Sequence, residues 1–475
     1  MHLAADGLAL LVPLAGHHQD VAVLEHGASF RATGVSIDTR SLESGDLFVA
    51  LRGERDGHAY ARDAFAKGAS GVLASELVDA PHVLVDDTFV ALERMGIVAR
   101  MRSDALRGAV TGSVGKTSVT QAIKAALELA GPAHGSVKSY NNHFGVPLTL
   151  ARMPRHTRRA VFEIGMNHAG EIEPLSKMVA PHAVCVTTVG PVHIENFEDG
   201  EAGVARAKGE IFAGLQPGGV AVLNADDRWF ELLDGMARDA GAQVRSFGSG
   251  EDCTARLTGF EPHGGGAVVR ARLDGRDLDF TIAQSGAHWG PNSLCALLML
   301  QALDVDLDTA FAALARFAPL QGRGLEREVA LPRGGAFTLI DESYNANPMS
   351  MRAAFATLAA HEAAGRRIAV LTDMLELGSD AASRHADLVG PLQDAGVDLV
   401  FCAGPLMRSL FDALPAPMRG GWAATATELA GEVADAVTAG DVVVVKGSNG
   451  SRAGLIAQTL ASGGASAPSQ ARGAA

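Results

Sequence analysis

The sequence predicts an α/β protein of three units: a small N-terminal α/β domain, a central domain with a mainly parallel sheet, and a C-terminal Rossmann-like α/β domain. Three observations carry that expectation. The chain has 475 residues, about three ordinary domain lengths. Short apolar runs alternate with helical periodicity along most of it, the pattern of parallel strands joined by crossover helices. Those runs fall into groups over residues 1–107, 108–320 and 321–461.

In the first group, residues 47–51 read as a buried strand after Gly45-Asp46, 61–69 as a helix stopped by Gly68 and Gly71, and 72–74 as another strand. The second opens with a strand at 109–111, a turn from Gly112 to Thr117, and a helix with Val119, Ile123, Leu127 and Ala130 on one face. Gly131-Pro132 ends that helix. Further strands are expected at 160–164, 183–187 and 220–223. Residues 267–273 and 276–282 alternate around Asp274-Gly275, a hairpin with a type I′ turn, expected as a small antiparallel flap. The third group offers strands at 337–340, 367–371, 399–402 and 442–445. Residues 462–475, rich in Ser, Gly and Ala, read as a disordered tail.

Composition narrows the function. Hydrophobic residues make up 47% of the chain, enough for sizeable cores. No apolar run approaches the ~20 residues of a membrane span, and the short run at 8–15 lacks a basic residue before it. A cytoplasmic monomer with no membrane insertion is expected. The formal charge of −14 argues against nucleic acid as a partner. Four scattered cysteines without a C-x-x-C indicate neither a disulfide framework nor a zinc cluster. Only seven of the 40 basic residues are lysines. Lys can lose its proton where Arg cannot, so the patterned Lys116, Lys208 and Lys446 stand out.

Gly112-Ser113-Val114-Gly115-Lys116-Thr117-Ser118, between strand and helix, is the strongest motif. Glycines let backbone N–H groups close around phosphate oxygens, the helix N-terminus adds positive charge, Lys116 reaches terminal phosphates, and Thr117 offers a hydroxyl to Mg²⁺. Val110 stands where the usual motif has its first glycine. Glu163 and His193 each follow a strand, where open sheets bind ligands, and suggest a metal site. On spacing alone His193 can equally be structural, and Lys208 an ordinary surface residue of a helix over 205–212.

Further segments sharpen the reading: Asp38-Thr39-Arg40, GDLFVAL at 45–51, GERDGH at 53–58, NNHFGVP at 141–147, EIGMNHAGEI at 163–172, NADD at 224–227, DESYNANP at 341–348 and DMLELG at 373–378. Together with the phosphate loop they resemble the Mur ligases, ATP-dependent amide-forming enzymes of bacterial cell-wall synthesis. Within the family the likeness is to the branch that joins D-alanyl-D-alanine to UDP-N-acetylmuramoyl-tripeptide. The D-Y-A-H-T-P and D-N-P-R segments of the branch that adds the third residue are absent.

The resemblance implies ATP and Mg²⁺ as cofactors. It implies that Gly112 to Ser118 hold the ATP phosphates, with Thr117, Glu163, His193 and Lys208 around metal, Lys208 matching a lysine that the family carbamylates. Asn142 would lie near the reacting groups, Asn292 would face adenine and Arg323 the phosphates. Asp341 or Glu342 would reach the ribose. Thr39, Arg40, Ser41, Asn345 and Asn347 would contact the substrates. Departures are Trp289 for an Asn in H-N-x-x-N, Glu342 in the usual D-D-S-Y, and Thr372 where a Gly usually precedes D-M-x-E-L-G. A folylpolyglutamate synthase-like ligase, the third-residue ligase and a P-loop kinase are the competing readings.

Overall fold

The computed structural model describes residues 23–26, 30–137, 139–263 and 265–463. Residues 8–15, Lys138 and most of the expected tail lie outside them. Three sheets follow one another along the chain. The first has five strands, among them Gly34–Ser36, Asp46–Val49, Gly71–Ala74 and His82–Val85, all parallel. The antiparallel Val23–His26 closes its edge.

The central sheet has nine strands, in the order 276–282, 266–273, 255–263, 243–248, 220–224, 183–186, 106–111, 159–163 and 133–135. From Ala255–His263 to Ala133–Gly135 the neighbours run parallel. Alternate side chains on its inner strands enter different cores, as the two-residue period of a strand demands. Val110, Val161 and Cys185 pack with the helices Lys116–Ala130 and Trp289–Ala302, while Ala109, Phe162 and Val184 pack with the helix Ile172–Val179. Both faces are therefore covered, and the strands read as continuous apolar runs.

The expected hairpin is present, with Asp274 at φ 49° and Gly275 at φ 81°, as a type I′ turn requires. It is not a separate flap. A third antiparallel strand, Ala255–His263, ties it into the edge of the main sheet. The third sheet has six strands, in the order 325–330, 336–342, 442–446, 367–372, 399–403 and 419–423. All neighbours are parallel except the first pair. All four cysteines are free. Among the described residues, no helix is long and apolar enough to cross a membrane.

Candidate active site

In the central sheet, Leu106–Thr111 lies between Arg159–Glu163 and Ala183–Val186. The chain enters at the middle strand and later leaves to either side, so loops from the C-terminal ends of the three strands converge on one cleft. The first delivers the phosphate loop, the second Glu163 and the third the segment from Thr187 to His193.

Gly112 has φ 147° and Gly115 φ 88°. A Cβ at Gly112 would stand 1.9 Å from Thr187 Oγ1, so the position admits no side chain. Thr187 Oγ1 donates to the Val114 carbonyl at 2.6 Å. Ser113 N–H donates to the Thr188 carbonyl at 2.7 Å, and Ser113 Oγ bonds both backbone groups of Gly190. Asp227, from NADD, accepts from Val189 N–H at 2.6 Å and holds that neighbouring segment. Val110 is an ordinary buried strand residue, and Gly112 makes the turn instead.

The cleft measures about 550 Å³. Of the expected residues, Ser113 to Ser118, Asn142, Glu163, His193, Asn292, Arg323, Glu342, Asn345 and Asn347 line it. Lys116 begins the helix Lys116–Ala130, and its Nζ donates to the Gly112 carbonyl at 2.7 Å. Burial lowers its pKa, opposed by Glu163. Glu163 is buried; its Oε1 accepts from Asn141 Nδ2 at 2.7 Å, while Oε2 is buried without a hydrogen-bond partner. His193 sits at φ 56° and its pKa falls to about 4, through burial first and then the charges of Lys116 and Lys208. It is therefore a neutral imidazole at pH 7, the form that binds metal. A buried carboxylate oxygen lacking a partner, a hydroxyl from Thr117 and this imidazole form a donor set that suits a divalent cation.

Lys208 does not line the cleft surface. It ends the helix Glu201–Gly209, which gives way to 3₁₀ turns over Glu210–Gly214 rather than continuing over 205–212. It is 3% exposed, so it is no surface lysine. Burial drives its pKa well below the usual value, and Lys116 lowers it further. Asn142 accepts from Gly145 N–H at 2.9 Å and so caps the helix Gly145–Ala151.

The third sheet closes the other side. Glu342 and Lys446 end adjacent parallel strands in register, and Lys446 Nζ, buried, stands 3.3 Å from Glu342 Oε2. Asp341 points elsewhere: its carboxylate accepts from Ser343 N–H, Ser343 Oγ and Gly322 N–H. Of the two acids, Glu342 faces the cleft and Asp341 fixes a turn. Arg323 lies over the Tyr344 ring at 4.0 Å. Arg323 and Tyr344 both donate to Ser139 Oγ, at 3.3 and 2.9 Å, and that hydroxyl meets Thr117 Oγ1 at 3.3 Å. Asn347 is committed to capping the helix Pro348–Ala360 in a box with Ser350.

Thr39, Arg40 and Ser41 are not part of this cleft. They form a turn after Gly34–Ser36, where Asp38 holds the exposed Arg40 guanidinium at 2.7 Å within electrostatic reach of Tyr140. Sequence reasoning missed Ser139, Asn141 and Tyr344 as site residues, and marked Lys446 by the scarcity of lysine without giving it a role. Asn141 adjoins Asn142 and Tyr344 lies inside DESYNANP, so proximity to a motif was their available signal. A separate group, Asp56, His58 and Glu76, could offer metal ligands. Both His58 nitrogens are already engaged, by Asp56 and by the Ser75 N–H, which makes it a structural cluster.

Residues 110–300 match the Mur ligase middle domain, and residues 329–449 match the Mur ligase, glutamate ligase domain. The chain is 31% identical to a UDP-N-acetylmuramoyl-tripeptide–D-alanyl-D-alanine ligase of Rickettsia prowazekii, over 90% of this chain and 95% of that one. The chain belongs to the Mur ligase family. An Escherichia coli ligase of the same name is 35% identical to this Mur ligase, over 80% and 82% of the two chains. A crystal structure of MurF from Acinetobacter baumannii matches its fold with a TM-score of 0.81 at 27% identity, covering 92% of this chain and 94% of that one.

Proposed function

We propose that this Mur ligase uses ATP to join D-alanyl-D-alanine to UDP-N-acetylmuramoyl-tripeptide, through an acyl-phosphate intermediate, giving the pentapeptide precursor of peptidoglycan. The observation that carries this reading is the single cleft in which a phosphate loop and a buried carboxylate face Arg323, Glu342 and Lys446 of a second sheet. The relatives that bear this activity in their names support the choice of substrates.

A carboxylate is a poor acyl donor until its oxygen is phosphorylated; then an amine can displace phosphate. The protein's work is to position the partners and offset spreading charge. Lys116 and the loop N–H groups hold the ATP phosphates, and Arg323, kept in place by Tyr344 and Ser139, adds positive charge from the opposite wall. Asn292, close to Gly115, faces the adenine, and Glu342 is the acid for the ribose. Thr117, Glu163, His193 and, as its carbamate, Lys208 would hold Mg²⁺, which supplies charge neutralisation for phosphoryl transfer. Asn142 borders the reacting groups and Asn345 contacts the substrates, while Arg40 with Thr39 and Ser41 meets the uridine diphosphate end.

Phosphate release tests the proposal. It should require ATP, UDP-N-acetylmuramoyl-tripeptide and D-alanyl-D-alanine together. Equal release without the dipeptide, or phosphate retained on the acceptor, contradicts it.

A further inference from the structure

We propose that Glu326 and His361 are positioning residues for Arg323: together with Ser285 they form a latch across the joint between the central and third units, closed while His361 carries its proton. The inference rests on the ligase reading only in taking Arg323 to meet ATP. Glu326 lies in Leu325–Ala330, the first strand of the third unit, three residues beyond Arg323. His361 is the C-cap residue of Pro348–Ala360, the helix whose first turn borders the cleft. Ser285 belongs to the central unit and, with Gly286, precedes the helix Trp289–Ala302 that carries Asn292.

Three side chains meet at that joint. Ser285 Oγ donates to Glu326 Oε1 across the boundary. The other carboxylate oxygen, Glu326 Oε2, faces His361 Nε2 at 3.2 Å. On the far side of the ring, His361 Nδ1 lies 2.7 Å from the Thr357 carbonyl. A carbonyl and a carboxylate can only accept, so both ring nitrogens must carry hydrogen for both bonds to form, which makes the ring an imidazolium. The pair is largely shielded from water, the His361 and Glu326 side chains being 20% and 30% exposed. Packing beside it is close: a Cβ on Gly286 would stand 3.2 Å from Thr357 Oγ1. The same joint sets Arg323, which reaches back to Ser139 of the central unit at 3.3 Å.

The hydrogen bond to Glu326, aided by the Thr357 carbonyl, outweighs burial and raises the pKa of His361 above its ordinary 6.5. Burial pushes Glu326 up, but the bonds from His361 and Ser285 outweigh it and leave its pKa lowered. Each partner therefore holds the other in its charged form. Arg367, whose guanidinium donates to the His361 carbonyl at 3.0 Å, opposes the imidazolium. Glu362, next in the chain, is exposed to water, and His288, on the central side, has its pKa lowered, by burial first. The latch is thus fully closed below pH 6.5 and is released as pH rises through the raised value. A neutral ring that keeps its Thr357 bond turns a lone pair on Nε2 toward the Glu326 carboxylate, and the contact becomes repulsive.

The test sets the wild type beside His361→Gln, which is neutral at every pH, and Glu326→Gln. In ¹⁵N-histidine NMR of the full chain, His361 should titrate above 6.5 in the wild type and lower in Glu326→Gln. In small-angle scattering without ligand, His361→Gln should have the larger radius of gyration at pH 6 and the wild-type radius at pH 9. Its KM for ATP should exceed that of the wild type roughly 10-fold at pH 6, the value of one charge-assisted hydrogen bond, and match it at pH 9. Taking the ratio of the two enzymes cancels the titration of ATP itself. A wild-type His361 that titrates at or below 6.5 overturns the latch, as do equal radii at pH 6. A KM ratio that does not change with pH makes His361 merely structural and overturns it too. Absence of ATP-dependent turnover in the wild type instead overturns the ligase reading, and the NMR and scattering results then still decide the latch.

Discussion

Lys208 is 3% exposed at the end of Glu201–Gly209, and no carboxylate lies within ion-pair distance of it among the described residues. Burial first and then Lys116 push its pKa well down, toward the neutral amine that takes up CO₂. A carbamate there would supply an oxygen ligand within electrostatic reach of His193. Growth in ¹³C-bicarbonate buffer should therefore give one carbamate carbon signal that Lys208→Arg lacks, and Lys208→Arg should lose at least ~100-fold in turnover, the range for a misplaced catalytic group. Near-normal turnover in folded Lys208→Arg contradicts the assignment. Lysine scarcity had already singled out Lys116, Lys208 and Lys446. Lys208 and Lys446 are buried, whereas Lys67 and Lys177 are exposed beside carboxylates four residues earlier. What sequence could not separate were Asp341 and Glu342. Neighbours on a strand point to opposite faces, and only the sheet shows which face meets the cleft.

Gly112 and the edge strand Ala133–Gly135 show how single elements hold the site and the sheet. Gly112→Ala forces a Cβ onto Thr187 Oγ1 at φ 147°. About 2 kcal/mol of overpacking should weaken ATP binding by at least ~30-fold, read by calorimetry; an unchanged Kd contradicts the role of the turn. His134, in the edge strand, is half-buried with Nε2 2.7 Å from the Thr149 carbonyl, and desolvation takes its pKa to about 4. The unfolded chain, with an ordinary value of 6.5, binds more protons below that pH. Stability is therefore full above pH 6.5 and falls as pH drops toward 4, by on the order of 3 kcal/mol. His134→Gln, keeping an N–H donor, should flatten the urea midpoint over that window; a slope equal to wild type contradicts the assignment. Apart from the alternating hairpin, the strands read from sequence were the buried ones, such as Val442–Lys446, whose apolar runs declare them. The strands passed over include Leu325–Ala330 at a sheet edge, where Arg327 and Glu328 are exposed and the apolar run is broken. Ala255–His263 was missed in the same way, its outer end being exposed.

Across the whole molecule, function depends on two sheets meeting over one cleft. The phosphate loop was legible because its residues are consecutive, whereas the partners of that loop are not. Ser139 meets Arg323 and Tyr344 about 200 residues along the chain, and His193 Nδ1 meets Glu376 Oε2 at 3.0 Å, pairings that only the tertiary fold creates. The family motifs named most of the lining but gave no relation between its parts. Polar contacts of this sort are the kind that let one unit move against another as ligands bind. The central claim is that the cleft moves a phosphoryl group onto the substrate carboxylate before the amine attacks. UDP-N-acetylmuramoyl-tripeptide labelled with ¹⁸O in its reacting carboxylate tests this directly, with the released phosphate read by mass spectrometry. One ¹⁸O per phosphate, appearing only when D-alanyl-D-alanine is present, is the predicted result; amide product formed with unlabelled phosphate, the second ¹⁸O leaving as water, would contradict it.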